Sequence, residues 1–354
     1  MKTKTVKGLP IIVPKGNTGS KIDTPDDFPA LHGVFVCTGR RGSGKSYAAV
    51  SLIKHYMDAK CVDRVFCISP TIHSNKALLD LIKIEDGDFY DEPNKDALDS
   101  VLAKVEEEAY DYEEFHRKLE LWKKYEKYLR TGRGLSGVDE ESLIDLFDGE
   151  AITPPVHKYN GKKPGLVLLI DDAQGSPLMM PKARLMQFII KHRHHGTFRD
   201  IEGALGITVV FCVQSLKAAG GGIPRAIRGN CTGFILFKTK DEHELNEAAS
   251  ECAGEVGVDT FMKVYEQAML EDHGFLFVDF NKKPNHPSMF RSKFEKFIIP
   301  EELEAEKKKC DDIVKEKNDD AEPGGNPAKQ RKPRRRTRAK GIRRADKAKN
   351  EVDG

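Results

Sequence analysis

Long apolar runs are missing from this 354-residue chain. No window approaches the roughly eighteen consecutive apolar residues that a membrane-spanning helix needs. The opening residues, MKTKTVKGLP, have no apolar stretch behind them, which argues against a secretory signal. Tryptophan occurs once, at Trp122. The cysteines are Cys37, Cys61, Cys67, Cys212, Cys231, Cys252 and Cys310. Their number is odd, and no two have the two-residue spacing of a zinc knuckle. Several lie in apolar runs, so reduced core thiols in a reducing compartment are expected. Aromatic residues are absent from residues 329–349, KQRKPRRRTRAKGIRRADKAK, so this stretch can neither stack bases nor build a core.

The residues present describe a folded body with polar excursions. Apolar residues make up 39% and charged residues 32%. The net charge of +2 hides an asymmetry. Residues 327–354 carry twelve Lys or Arg and three Asp or Glu, a local charge of +9. The preceding 326 residues therefore carry −7. An acidic body with a basic tail is not a uniformly basic nucleic-acid binder.

Periodicity divides the chain. Residues 1–31 read as an N-terminal arm. Residues 33–38 (GVFVCT), 62–68, 166–170 (LVLLI), 207–213 (ITVVFCV), 232–238 (TGFILFK) and 274–280 (GFLFVDF) are continuous apolar runs, as expected of strands buried on both faces. Helical spacing is expected at 46–56, 75–83, 178–191, 245–252 and 258–266. Strands alternating with helices argue for a parallel α/β sheet. Residues 32–93 and 161–300 form the expected core. Residues 94–160, heavily charged and largely helical, read as an insertion projecting from it. A charged helix is expected at 301–318, and 319–354 has the composition of a disordered tail.

Gly39-Arg40-Arg41-Gly42-Ser43-Gly44-Lys45-Ser46 fits the full phosphate-loop pattern, with a strand before it and a helix after. Its glycines let backbone N–H groups turn toward phosphate oxygens, and the helix directs its positive end at the same anion. Lys45 is placed to reach the terminal phosphates of ATP, and the Ser46 hydroxyl to ligate Mg²⁺. Residues 166–170 run into Asp171-Asp172. A buried strand ending in a carboxylate beside such a loop suits Asp171 for the Mg²⁺ shell. Asp172 is the candidate general base for an attacking water. Gln214, at the end of the next strand, is a candidate sensor of the γ-phosphate and water. A glycine-rich loop then leads to Arg225 and Arg228. An arginine reaching a neighbouring subunit's γ-phosphate would stabilise transition-state charge. Arg228 is the first candidate, Arg225 the second and Arg193 a lesser one. The run Lys191-His192-Arg193-His194-His195 lacks a carboxylate or cysteine at ligand spacing, so cations at a helix C-terminus explain it better than a metal site.

These elements in this order resemble the poxvirus-type genome-packaging ATPases of the FtsK–HerA superfamily. The residues carrying the resemblance are 39–46, Ser69-Pro70-Thr71, 166–172, Arg193-His194, Val213-Gln214-Ser215, and Ile223-Pro224-Arg225 through Arg228-Gly229-Asn230. It covers roughly residues 31–280 without the insertion. The resemblance implies a RecA-like P-loop (ASCE) fold and ATP hydrolysis between the subunits of a homo-oligomeric ring. It also implies pumping of double-stranded DNA into a capsid, with capsid proteins as partners. The expected location is the host-cell cytoplasm or a viral assembly site, or the virion, with no membrane association.

The basic tail fits attachment to phosphate backbone, which would be strongly salt-dependent. A nuclear-import signal and a solubilising tail compete with that reading. Two other functions fit the motifs: a RecA-class helicase or repair ATPase, and a scaffold that uses ATP binding for assembly. A small-molecule kinase would need a lid, for which residues 131–137 are a weak candidate.

Overall fold

The computed structural model describes residues 21–301, apart from 72–75, 134–136, 139, 141–143, 145–152, 181–183 and 218–221. The basic tail, the expected helix at 301–318 beyond its first residue, and Gly220 and Gly221 of the glycine loop lie outside the described residues.

A nine-stranded sheet organises the chain. Its strands are β1 (Val34–Thr38), β2 (Arg64–Ile68), β3 (Phe89–Tyr90), β4 (Leu166–Asp171), β5 (Thr208–Val213), β6 (Gly233–Phe237), β7 (Phe275–Asp279), β8 (Phe290–Ser292) and β9 (Lys296–Ile298). The order across the sheet is β3-β2-β4-β5-β1-β6-β7-β8-β9. From β3 to β6 every neighbouring pair is parallel. From β6 onward the pairs are antiparallel. The sheet is therefore mostly parallel, as the continuous apolar runs predict. The antiparallel end is new: β8 and β9 are three residues each, too short to register as periodic segments.

Alternation along each strand sends side chains into two cores. Val34 and Val36 face one, Phe35 and Cys37 the other. The second is covered by α1 (Lys45–Asp58) and α2 (Lys76–Ile82) through Ala49, Leu52, Ile53, Leu78 and Ile82. The first is covered by α3 (Lys95–Thr131), α4 (Arg184–Ile190), α6 (Glu242–Cys252) and α7 (Val258–Ala268). The four-residue α5 (Arg225–Arg228) adds Ile227. A helix predicted over 178–191 is instead a 3₁₀ turn at Pro177–Met179 followed by the shorter α4.

Two parts of the expected organisation change. The last residues of the arm are packed: Tyr56 Oη donates to the Pro29 carbonyl at 3.0 Å, and Arg291 Nη1 to that of Asp27 at 2.6 Å. The expected insertion also begins inside the core. Helix α3 is capped by the Asn94 side chain, which accepts from Ala97 N–H at 2.9 Å. Ala97, Leu98, Val101, Val105 and Ala109 are buried at helical spacing. Only beyond Ala109 does the helix become a largely solvated rod carrying ion pairs such as Glu114–Arg117 and Glu120–Lys123. A buried ion cluster ties its inner half to the sheet. Arg64 of β2 meets Asp88 and Glu108, each at 2.6 Å. Lys104 reaches Asp88 at 2.8 Å, and Lys158 and Tyr159 reach Glu108 at 3.1 Å.

Candidate active site

The phosphate loop joins β1 to α1 and is shaped by close packing. A Cβ on Gly39 would fall 2.7 Å from Phe237 Cβ, so the loop leaves β1 against β6 only with glycine there. Gly42 and Gly44 have φ of +78° and +100°, left-handed values that side chains disfavour. Gly44 is the N-cap of α1 and no side chain caps that end. The first N–H groups of α1 thus remain available to an anion. Lys45 Nζ donates to the Arg40 carbonyl at 3.0 Å, folding the ammonium back across the loop.

Strand β5 lies between β1 and β4 and sets the next contact. Register pairs Cys37 with Cys212 and Cys212 with Asp171, so the acidic strand end comes level with the loop. The Ser46 hydroxyl donates to Asp171 Oδ2 at 2.9 Å. Asp171 is buried, and burial pushes its carboxyl above the ordinary aspartate range. The Ser46 hydrogen bond opposes the rise, Asp172 adds to it, and Lys45 opposes it. These groups fit a magnesium ion. Both are hard oxygen donors, and neighbouring oxygens in an octahedral shell of about 2.1 Å radius stand about 3.0 Å apart, close to the Ser46–Asp171 distance. A divalent cation would also relieve the buried carboxylate.

Asp172 leaves the strand in a left-handed conformation, φ +52°. A non-glycine residue there is strained, and such strain gathers at functional sites. The turn directs its carboxylate to the cavity, where Gln214 Nε2 donates to Oδ1 at 3.3 Å and Thr71 Oγ1 to Oδ2 at 3.4 Å. Gln214 in turn has its backbone N–H on Gln174 Oε1 at 2.8 Å.

Residues 41–46 line one cavity of 860 Å³ together with Asp171, Asp172, Gln214 and Thr71. His273, Phe275, Lys293 and Phe294, from the antiparallel strands and their turns, line another part. Phe294 is braced edge-on by Phe275 and Phe277, with ring centroids 4.9 and 5.6 Å away. The cavity is large enough for a whole nucleotide rather than a phosphate chain alone.

Of the residues singled out in the sequence, the structure brings together Arg41, Gly42, Ser43, Gly44, Lys45, Ser46, Asp171, Asp172 and Gln214. Gly39 and Arg40 support the loop from behind the lining. The arginines are elsewhere. Arg228 is held inside its own chain: Nε meets Glu251 Oε1 at 3.0 Å, and Nη1 donates to the Ile223 carbonyl. Arg225 is exposed one turn earlier on α5, and Arg193 is exposed beyond α4. Arg225 is therefore better placed than Arg228 to reach a second molecule. His192 Nδ1 and His195 Nε2 lie on the carbonyls of Ile189 and Phe188, at 2.7 and 2.9 Å. Among the described residues no group of three His, Cys, Asp or Glu is placed to hold a metal. Sequence reasoning places Thr71 only within the Ser69-Pro70-Thr71 segment, with no role of its own, and passes over Gln174 and the Phe294 turn, which belong to no motif.

No protein-family description and no curated protein matches the chain. Solved structures do. The genome packaging NTPase of Sulfolobus turreted icosahedral virus 2, in complex with ATP-gammaS, aligns over 75% of this chain and 98% of its own, at 13% identity and a TM-score of 0.40. The DNA-packaging ATPase of Sulfolobus turreted icosahedral virus aligns over 74% and 97%, at 14% identity and 0.38. The pCW3 conjugation coupling protein TcpA aligns over 78% and 65%, at 16% identity and 0.36.

Proposed function

We propose that this chain is a magnesium-dependent ATPase that moves double-stranded DNA, with a RecA-like core formed by β6, β1, β5, β4 and β2. One observation carries the hydrolytic reading: Ser46 meets Asp171 at 2.9 Å while Asp172, beside it, is held by Gln214 and Thr71. A loop that only bound nucleotide would have no need of the second, strained carboxylate. In this reading the N–H groups of residues 42–46 and Lys45 bind the phosphates. Ser46 and Asp171 would hold magnesium, which neutralises charge on the phosphate oxygens when bound. Asp172 accepts the proton of the attacking water, and Gln214 orients that water. The aromatic wall at Phe294 takes the base.

The larger role is genome packaging by a ring of subunits, in which an exposed arginine such as Arg225 completes the neighbour's site and capsid proteins receive the motor. This follows the motif order shared with the FtsK–HerA ATPases. The body is acidic, so the basic tail is the natural holder of DNA backbone. No helix among the described residues is long and apolar enough to cross a membrane.

The test is ATP hydrolysis by the full chain with and without double-stranded DNA, together with its mass in the presence of both. Stimulation by duplex and a ring-sized assembly are expected. A strictly monomeric protein indifferent to DNA removes the motor reading, and preference for single strands with strand separation favours a helicase. Lys45→Ala should abolish nucleotide binding.

A further inference from the structure

Backbone pairing between β4 and β5 stops where the two chains part. Their last register pair is Asp171 with Cys212, and a final bond runs from Asp172 N–H to the Cys212 carbonyl at 3.3 Å. Beyond it the Gln174 side chain stands in for a strand. Its Oε1 accepts from Gln214 N–H at 2.8 Å, and its Nε2 donates to the Ser215 carbonyl at 3.5 Å. A carboxamide presents acceptor and donors in one plane, so one side chain can bond both the Gln214 N–H and the Ser215 carbonyl where the chain bends after β5. Gln214 returns its own Nε2–H to Asp172 Oδ1. Residues 172, 174 and 214 thus close a ring between the acidic loop and the sensor loop.

Gln214 is exposed. Water would satisfy its backbone N–H if Gln174 were absent, so the bond is not required to rescue a buried donor. What it fixes is direction. The backbone of a residue at a free strand end sets where its side chain starts, and small displacements of aligned groups are costly in rate. We propose that Gln174 is a positioning residue for hydrolysis, holding the Gln214 backbone so that the Gln214 carboxamide and the Asp172 carboxylate keep one geometry. The inference rests on the ATPase reading above.

The experiment is steady-state ATP hydrolysis, nucleotide binding and thermal melting of the full chain carrying Gln174→Ala, Gln174→Leu or Gln174→Glu. Gln174→Ala is also combined with Asp172→Ala. The Ala and Leu variants should lower kcat between about tenfold and a hundredfold, with KM and Tm unchanged. Gln174→Glu should recover much of that loss, since its carboxylate still accepts from Gln214 N–H. On the Asp172→Ala background, Gln174→Ala should change nothing further. Wild-type kcat in the Ala variant overturns the inference, as does a loss of both kcat and Tm that Leu restores, which would mean packing alone. A wild-type chain that binds ATP and never hydrolyses it overturns the ATPase reading instead, and with it the step Gln174 would serve.

Discussion

Ser46 and Asp171, 125 residues apart in sequence, share a hydrogen bond of 2.9 Å. The contact exists because β5 spaces the loop strand from the acidic strand at one level of the sheet. It makes the site's response to acid a consequence of the fold. Burial raises the Asp171 carboxyl, so the fold without magnesium holds that proton more tightly than the unfolded chain does. Its contribution to stability is therefore fully present below the ordinary aspartate range. It is lost as pH rises through the raised value. Magnesium, which needs the carboxylate, should act in the opposite sense. The Tm increase given by magnesium with nucleotide should grow from acid to neutral pH in the wild type, and Asp171→Asn should flatten it. Thermal melts across pH measure both.

Asp172 and Gln214 should separate binding from chemistry. Asp172→Ala should lower kcat between about 10²- and 10⁴-fold while nucleotide affinity stays near wild type. Gln214→Ala should do the same to a smaller degree. Equal losses in affinity and turnover would place these residues in binding rather than catalysis. Equilibrium binding of a labelled nucleotide beside steady-state rates distinguishes the two.

Arg64 is the centre of the ion cluster beneath α3. Removing it leaves Asp88, which is fully buried, to Lys104, and Glu108, which is nearly so, to Lys158 and Tyr159. Arg64→Ala should cost about 1.5–3 kcal/mol in denaturant unfolding, the worth of lost hydrogen bonds to charged groups. Lys123→Ala, on the outer half of the same helix, breaks only an exposed pair and should leave unfolding nearly unchanged.

The two arginines of α5 should behave differently. Arg228→Ala removes the contacts to Glu251 and the Ile223 carbonyl and should destabilise the fold by about 1.5–3 kcal/mol. Arg225→Ala should leave Tm unchanged and lower the specific ATPase activity only where protein concentration supports assembly. Rates measured over a dilution series, with parallel melts, resolve the pair.

How much of this was legible in the sequence follows from where each partner comes from. The phosphate loop carries its chemistry in consecutive residues, and the strand before Asp171 is one unbroken apolar run, so both could be read directly. Thr71 and Gln174 act on partners 101 and 40 residues away, and neither residue type announces that contact. The inner half of α3 was hidden by its charges. Glu108 and Lys104 look like a solvated face until Arg64, Lys158 and Asp88 arrive from other segments to neutralise them. Arg228 shows the reverse: a cation after a glycine-rich loop looks free, yet Glu251 holds it from the next helix.

The sheet ends on one side in β3, two residues long, and on the other in β9, three residues long. A long bare edge would offer unpaired backbone groups as a template for another chain's strand and invite aggregation. Among the described residues, the outermost strands are only two and three residues long. Short edge strands of this kind favour recognition between copies through side-chain surfaces, whose chemistry can be tuned residue by residue, over backbone addition, which accepts almost any sequence.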